Sequence, residues 1–410
     1  TTPAQIKRNG DPLQIVDPVQ TAHNLLPALR PLCDVLIILS HLGYSLAVQS
    51  AEVQEAGDVE LAASLFPGAV DLIIGSHTHQ ALNNCGLEAA NVVNGIPIVQ
   101  AGALGQYLGE VTLTISNTNQ DLAAGSTPKT PAVAVTDARL TATDDLPLDN
   151  SFERNFVRPL IHALAPVFNQ ELGFVLSHPD LASEAIHNDF NTGESALANF
   201  ISDGIVARCR QNGHDIDLAM IDRSVARYGL RATEKLTFRD WFNLMPSVDT
   251  IRLCRVTGEQ LLALLRDNAC RLARPDQPHT ESGFLHFSQS LRYTIIPGTE
   301  RGEARVTNVV LDGRPLESHP QQHFTVACHS FVRGNVRGWE NGHAAADLPL
   351  INIHHWIYED TGLFLRDELL AVIRHNGGVS AGGGVQRDGR LQIMRSSPMI
   401  DSTSLTTVAT

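Results

Sequence analysis

The sequence predicts a mixed α/β protein with two regions, and three observations support that prediction. Strand-like apolar runs alternate with helical patterns from Pro18 to about Gly109, which is typical of βα units in a partly parallel sheet. A long helical pattern follows near residues 151–169, and a second mixture of helices and strands begins at about residue 171. With 410 residues, the chain is long enough for two or three domains that each bury a core.

Each element of the first region is predicted by its own pattern. Helical spacing of apolar residues marks "AHNLLPALRPLC", and "DVELAASLF" predicts a short helix. Three apolar runs, "DVLIILS", "DLIIGS" and "GIPIVQAG", predict buried strands. The period-two alternation of "GEVTLTISNTNQDL" predicts a half-exposed antiparallel strand. We interpret residues 117–150, which are rich in Thr, Asn, Asp, Ala and Pro, as a surface segment that leads to a linker.

The second region follows a predicted linking helix, "DNSFERNFVRPLIHALAPVFNQ". Two further helices are predicted at "ESALANFISDGIVARCRQ" and "TGEQLLALLRDNACRLA", with strands at "DLAMI", "TIRLCRV", "LRYTII" and "HFTVAC". We therefore predict one domain over residues 1–150, a linking helix over 151–170, a second domain over 171–396, and a disordered Ser/Thr-rich tail over 397–410.

Composition argues against several functional classes. Thirty basic and 44 acidic side chains leave a formal charge of −14, which argues against a nucleic-acid partner. No apolar run approaches the roughly 18 residues of a membrane span. The six cysteines are scattered without a CxxC pair and are predicted to be mostly buried small hydrophobes. Because the sequence starts "TTPAQIKRNG", with no Met and no signal-like leader, we expect it to be cut from a longer protein.

Histidines follow two of the predicted strands. His41 ends "DVLIILSH", and His77 and His79 end "DLIIGSHTH". In open α/β sheets, functional groups collect at the carboxyl ends of strands, and neutral imidazole is a good ligand for zinc, manganese or iron. The alternative is that each histidine is satisfied by backbone hydrogen bonds. Two similar strand ends, one of them an H-x-H, favour a metal site.

Carboxylates normally bridge and neutralise paired cations, and the sequence shows none after a strand in this region. Asp58 and Glu60 lie in the predicted helix "GDVELAA", and Asp71 precedes its strand. Three imidazoles alone do not make a strong site for two metals.

Taken together, these segments carry a family resemblance. "DVLIILSHLG", "GDVELAASL", "VDLIIGSHTH" and "GIPIVQAGALGQYLGEV" resemble the second half of the calcineurin-like metallophosphoesterase domain of 5'-nucleotidases. "TGESALANFISD", "KLTFRDWFNLMPSVDTIRLCRVTGEQLLALL" and "FTVACHSFVRGN" resemble the substrate-binding C-terminal domain of that superfamily. The resemblance covers roughly residues 1–395. It implies a metallophosphoesterase αββα sandwich, without its N-terminal part, followed by an α/β 5'-nucleotidase C-terminal domain.

The resemblance implies two divalent metal ions, zinc, manganese or similar. His41 and His77 would bind one ion, and His79 would bind the other. The family's other ligands, an Asp-x-His, a bridging Asp and the Asn of an Asn-His pair, would precede Thr1, as would the His that acts as the general acid. The chain therefore carries half of a metal site. Either it is a fragment of a longer enzyme or it has lost its active site.

The resemblance also implies a set of substrate-binding positions, several of which depart from the family pattern. Asn191 replaces a phosphate-side Arg, and the Arg of "GGGIR" falls on Arg227 in "SVARYGL". Of the two rings that clamp the base, one is replaced by Ser247 and the other is Phe331. Arg337 in "GNVRGWE" stands where the loop Asp is expected. Stacking on an aromatic ring contributes roughly 1–3 kcal/mol per base, so these replacements argue against an ordinary nucleotide substrate.

The implied activity is that of a metal-dependent phosphoesterase of the 5'-nucleotidase type. It would hydrolyse a nucleotide or a related phosphate ester by attack of a metal-activated water. The implied partner is a small-molecule phosphate ester, and the implied location is periplasmic or extracellular. Two alternatives stay open: a catalytically inactive binding module without the complete dinuclear metal site, and a superfamily hydrolase of a different anionic ester.

Overall fold

The structure is a computed structural model, and it describes residues 16–45, 57–116, 132–274, 284–298, 301–330, 332, 339–340, 343–344, 353 and 356–394. The chain divides into two compact units with their boundary between Phe156 and Val157. Both units are mixed α/β, as the sequence predicts. Among the helices of the described residues, none combines the length and the apolar character that crossing a membrane requires.

A four-stranded sheet forms the base of the first unit. The strands of this sheet are β1 (Ile37–Leu39), β2 (Leu72–Ile74), β3 (Val92–Val93) and β4 (Ile96–Val99). Two helices of the same unit are α1 (Pro18–Leu29), which precedes β1, and α2 (Asp58–Ser64), which lies between β1 and β2 in the sequence. The strand order is β1-β2-β4-β3, in which β1, β2 and β4 are parallel and β3 is antiparallel to β4. The prediction of a partly parallel sheet built from βα units is confirmed.

Each face of this sheet packs a different layer. On one face, apolar side chains of α1, α2 and the strands form a core: Leu26, Leu61, Ala62, Leu65, Ala69, Val70, Ile73, Ile96 and Ile98. Near the other face, a long hairpin of β5 (Tyr107–Ser116) and β6 (Ala132–Ala142) contributes Ala138 to a smaller cluster with Leu72 and Val99. The hairpin confirms the antiparallel strand that was predicted at "GEVTLTIS".

One prediction for the first unit is wrong and another is incomplete. "DVLIILS" was predicted to be a buried strand, but Ile37 is 38 % exposed and Leu39 is 80 % exposed. β1 lies at an edge of the sheet and pairs only with β2 among the described strands, so one of its faces lacks a packing partner there. Residues 117–150 were predicted to be a surface segment; residues 132–142 within it are exposed or half-buried except at Ala138, but they form β6, in which valines alternate with smaller residues. This alternation is a strand pattern that their polar composition concealed.

The linking helix begins in the first unit and continues past the boundary into the second. A helical turn at Asn150–Phe152 continues through a π-helical stretch at Glu153–Val157 into α3 (Arg158–Phe168), which confirms the predicted helix. Phe168 at its end contacts the rings of Phe238 and Phe242, with centroids 6.1 and 5.6 Å away. The helix is therefore anchored to the second unit by aromatic contacts.

The remaining elements of the second unit alternate between helices and strands. The helices are α4 (Ser183–Asn188), α5 (Ala196–Gln211), α6 (Phe238–Leu244), α7 (Gly258–Ala269) and α8 (Leu365–Asn376). The strands are β7 (Glu171–Val175), β8 (Leu218–Ile221), β9 (Thr233–Thr237), β10 (Thr250–Thr257), β11 (His286–Phe287), β12 (Leu291–Ile296), β13 (Arg305–Leu311), β14 (Arg314–Pro315), β15 (His323–His329), β16 (Trp339–Glu340), β17 (His343–Ala344), β18 (Tyr358–Phe364), β19 (Gly378–Val379) and β20 (Leu391–Ile393).

Two larger sheets organise this unit. The first has the order β11-β8-β15-β10-β18, and the second has the order β14-β13-β12-β20. Helix α5 is buried along most of its length and packs against α8 at Gly204, where an added Cβ would lie 2.5 Å from the Leu369 side chain. Of the six cysteines, Cys209, Cys254, Cys270 and Cys328 are buried, as predicted. The predicted disordered tail, residues 397–410, lies outside the described residues.

Candidate functional site

The histidines of the first unit lie just beyond two neighbouring parallel strands. Leu39 of β1 is in register with Ile74 of β2, and the backbone N–H of Ser40 donates to the carbonyl of Ile74 at 2.8 Å. His41 follows two residues after β1 ends, and His77 follows three residues after β2 ends. Since parallel strands end at the same edge of a sheet, both residues are brought to one place.

His41 and His77 form a close pair of rings. Their centroids are 5.1 Å apart, with an angle of 60° between the ring planes. The Ser76 hydroxyl lies 2.5 Å from Nδ1 of His41. A hydrogen bond at one ring nitrogen orients an imidazole and leaves the other nitrogen to a ligand, so Nε2 of His41 is its candidate metal-binding atom.

The H-x-H turn has an unusual backbone. His77 has φ 77° and His79 has φ 58°, a left-handed conformation that is uncommon for residues other than glycine. Gln100, which directly follows β4, accepts hydrogen bonds from the Thr78 hydroxyl at 3.2 Å and the Gln80 N–H at 2.6 Å. It also donates to the Ser76 carbonyl at 3.0 Å. A buried amide therefore holds this strained turn, and strain of this kind concentrates at functional sites.

Asp58 is an acidic residue that the structure places at the same edge. It is the first residue of α2 and is fully buried. Burial raises the pKa of Asp58 to about 6. The neighbouring Ser40 hydroxyl and His41 act in the opposite direction, while Glu60 raises the pKa further. Among the described residues, neither carboxylate oxygen has a hydrogen bond of normal geometry.

The sequence analysis set Asp58 aside because it begins a helix and does not follow a strand, and the structure corrects that view. In a β-α-β connection the helix starts at the edge where the preceding strand ends, so the first turn of α2 lies beside the loop after β1. Gln100 and Ser76 were also missed, although both stand directly after strands or next to a predicted ligand. By contrast, Asp71 pairs with Arg30 at 2.7 Å and is a structural residue.

These donors fit a partial cation site. Two imidazole rings lie with their centroids 5.1 Å apart, and the buried carboxylate of Asp58 lies at the same edge of the sheet. In the part of the chain that the structure describes, no three His, Cys, Asp or Glu side chains stand close enough together to hold a metal ion. His79 is exposed on the surface of the turn. Two nitrogen donors are too few for a closed site, since metal sites commonly use three or four protein ligands.

The predicted substrate-binding residues lie in the second unit. Arg227 is half-buried on the loop after β8, and its backbone N–H donates to the Leu244 carbonyl at 2.7 Å. Ser247 is exposed three residues beyond Leu244, so the structure brings these two positions into the same neighbourhood. Asn191 is only 2 % exposed, and its carbonyl accepts from the Ala273 N–H at 2.9 Å. Phe331 and Arg337 lie outside the described residues.

Buried ionisable groups lie at the ends of two parallel strands of the second unit. Asp222 follows β8 and His329 ends β15, with Nε2 of His329 3.4 Å from a carboxylate oxygen of Asp222. Burial acts to raise the pKa of Asp222, but the hydrogen bond and charge of His329, together with hydrogen bonds from Ser224, lower it below its usual value. Burial lowers the pKa of Arg271 to about 10, against the opposing effects of Asp267 and Asp222. The carboxylate of Asp222 also accepts hydrogen bonds from the N–H and the hydroxyl of Ser224, at the start of the loop that carries Arg227.

Comparisons with known proteins agree with this architecture. The family described as "5'-nucleotidase, C-terminal domain" matches residues 176–341. The trifunctional nucleotide phosphoesterase protein YfkN of Bacillus subtilis is 24 % identical over 342 residues, which are 80 % of this chain and 20 % of that protein. A 5'-nucleotidase of Vibrio cholerae is 23 % identical over 343 residues, which are 78 % of this chain and 57 % of that protein. The chain therefore spans only part of the length of these relatives.

Two solved structures share the fold. A protein of Staphylococcus aureus assigned to the 5'-nucleotidases superposes with a TM-score of 0.60 at 16 % identity, over 93 % of this chain and 68 % of that one. A 5'-nucleotidase precursor from Thermus thermophilus gives a TM-score of 0.51 at 19 % identity over the same shares. The matched C-terminal domain over residues 176–341 and the related sequences support the 5'-nucleotidase superfamily for this chain, and the solved structures show the same fold.

Proposed function

We propose that the protein is a metal-dependent phosphoesterase of the 5'-nucleotidase type that hydrolyses a nucleotide or a related phosphate ester. The observation that supports this proposal is the placement of His41 and His77, with ring centroids 5.1 Å apart at the ends of two parallel strands. The related nucleotide phosphoesterase and 5'-nucleotidase sequences support the same class of reaction.

In this reaction, the chain's own residues would bind the metal ions and hold the ligand side chains in position. Nε2 of His41 and the imidazole of His77 would hold one divalent ion, and His79 would hold a second. Ser76 would fix the ring of His41, and Gln100 would fix the H-x-H turn. When bound, zinc, manganese or a similar ion would polarise the phosphoryl group and lower the pKa of a water nucleophile. No residue among 1–410 is assigned as a remaining ligand or as the general acid.

Substrate recognition would fall to the second unit. We assign phosphate binding to Arg227 and base stacking to Phe331. Ser247 leaves one face of a base without a ring, and Arg337 adds positive charge where the family has an acid. Asn191 replaces an Arg with a neutral side chain. This set favours a more anionic ester and predicts poor discrimination among nucleobases.

Phosphate release from the full-length protein tests the proposal directly. With Mn²⁺ or Zn²⁺ present, we expect hydrolysis of both adenosine monophosphate and 4-nitrophenyl phosphate, with neither preferred by more than about tenfold in kcat/KM. His77→Asn removes a metal ligand and should lower kcat/KM at least 100-fold, or about 2.7 kcal/mol. The matched control is His162→Asn, an exposed histidine of α3. Activity without divalent ions, or equal activity in the two variants, would reject the proposal.

One observation favours the inactive binding module as the second candidate. The described residues contain no group of three side chains that could hold a metal ion. A binding module would bind adenosine monophosphate, measured by calorimetry, with no phosphate release at any metal concentration. The periplasmic or extracellular location that the resemblance implies stays a prediction.

A further inference from the structure

The carboxylate of Asp58 is buried without a hydrogen bond of normal geometry among the described residues, although the neighbouring Ser40 hydroxyl acts to lower its pKa. The side chain is 0 % exposed. An ionised carboxylate buried in this way is costly unless another charge offsets it. The backbone N–H of Asp58 donates to the Gly43 carbonyl at 2.7 Å. The helix does not need this carboxylate as a cap, since Glu60 caps the N–H of Gly57 at 2.8 Å.

Asp58 lies between the ends of the two strands that are followed by the histidines. On one side, hydrogen bonds from Asp58 to Gly43 and from Val59 to Tyr44 tie α2 to the loop after His41. On the other side, the carboxylate lies against the backbone at Gly75, where an added Cβ would be 2.0 Å from its Oδ2 atom. Gly75 stands two residues before His77. The absence of a side chain at Gly75 therefore makes room for the Asp58 carboxylate.

We propose that Asp58 is a positioning residue of the histidine site, where its negative charge offsets a divalent cation held by His41 and His77 and its packing sets the spacing of the two strand ends. This inference rests on the cation site proposed above. Asp58 is not assigned as a direct ligand, because the described residues include no group of three side chains with metal-binding geometry. The effect of Asp58 would pass through charge and through the backbone at Gly43 and Gly75.

A positioning charge and an ordinary structural residue predict different results for Asp58→Asn. The amide keeps the shape of the side chain and removes the charge. Without metal at pH 8, we expect slower hydrogen exchange in peptides covering β1, α2 and β2, because the uncompensated charge is gone. With Mn²⁺ or Zn²⁺ alone as the titrant, we expect the affinity to fall about 10- to 100-fold, as is usual when a group behind the ligands is removed. The control is Asp34→Asn, which removes an exposed acid from the same unit.

Each outcome decides the inference. Weaker cation binding together with a metal-free first unit that is at least as stable supports it, provided that Asp34→Asn matches the wild type. Equal cation affinity in Asp58→Asn and wild type overturns the role of Asp58 and leaves the histidine site standing. A metal-free variant that exchanges faster or fails to fold also overturns it, since Asp58 is then a structural residue. If the wild type binds no cation in calorimetry, the site and this inference are both wrong.

Discussion

Acid should destabilise the second unit through a single buried imidazole, His286. This side chain is 3 % exposed and lies between the rings of Phe190 and Phe284, with centroids 4.6 and 5.2 Å away. Its Nε2 atom lies 2.9 Å from the Phe190 carbonyl, to which the neutral ring can donate. Burial lowers the pKa of His286 to about 4 from 6.5, with smaller opposing effects from Phe190, Asp222 and Asp180. The folded protein therefore holds the neutral form.

The sign and size of the effect follow from this lowered pKa. Below pH 6.5 the unfolded chain binds a proton at His286, whereas the folded protein binds this proton only near pH 4. The contribution of the neutral imidazole to the free energy of unfolding is therefore fully present above pH 6.5 and is lost as the pH falls towards 4. The difference between pKa values of 6.5 and about 4 corresponds to about 3.4 kcal/mol in total. At pH 5 the loss from this residue is about 2 kcal/mol relative to pH 8.

Urea unfolding followed by tryptophan fluorescence isolates this effect. All three tryptophans, Trp241, Trp339 and Trp356, belong to the second unit, so the signal does not report the first. In His286→Gln, the fall in unfolding free energy between pH 8 and pH 5 should be about 2 kcal/mol smaller than in wild type. His323→Gln, which changes an exposed histidine, should keep the wild-type fall. Parallel pH profiles for wild type and His286→Gln would refute the buried neutral imidazole.

Two further predictions concern substitutions at Gly75 and at Ser247. Gly75→Ala places a Cβ 2.0 Å from Oδ2 of Asp58 and should destabilise the first unit by about 1–3 kcal/mol, with most of the loss recovered in the double variant Gly75→Ala/Asp58→Ala. Calorimetry of the four proteins checks this, and additive losses would show that the two sites do not touch. Ser247→Phe restores a ring at an exposed position and should raise kcat/KM for adenosine monophosphate up to about tenfold, or 1.4 kcal/mol, without changing that for 4-nitrophenyl phosphate. An equal change for both esters would mean that the ring does not stack on the base.

Local patterns in the sequence were enough to predict much of the fold. The runs around Ile38, Ile73 and Ile98 gave parallel strands at the predicted places, and the histidines after the first two runs came to one edge because parallel strands end together. Tertiary contacts account for the failures. The exposure of Leu39 depends on which strand lies at the edge, and the role of Asp58 depends on how α2 returns against Gly75. Neither relation can be predicted from residues that are close to each other in the sequence.

The most direct test of the account is the number of divalent ions that the 410-residue chain binds. Equilibrium dialysis with Zn²⁺ or Mn²⁺ at pH 7.5 should show weak binding of at most one ion per chain. Either His41→Asn or His77→Asn should abolish it, and His162→Asn should not. Binding should weaken as pH falls, because an imidazole must be neutral to act as a ligand. Two tightly held ions per chain, or one ion that is indifferent to His41 and His77, would contradict the account.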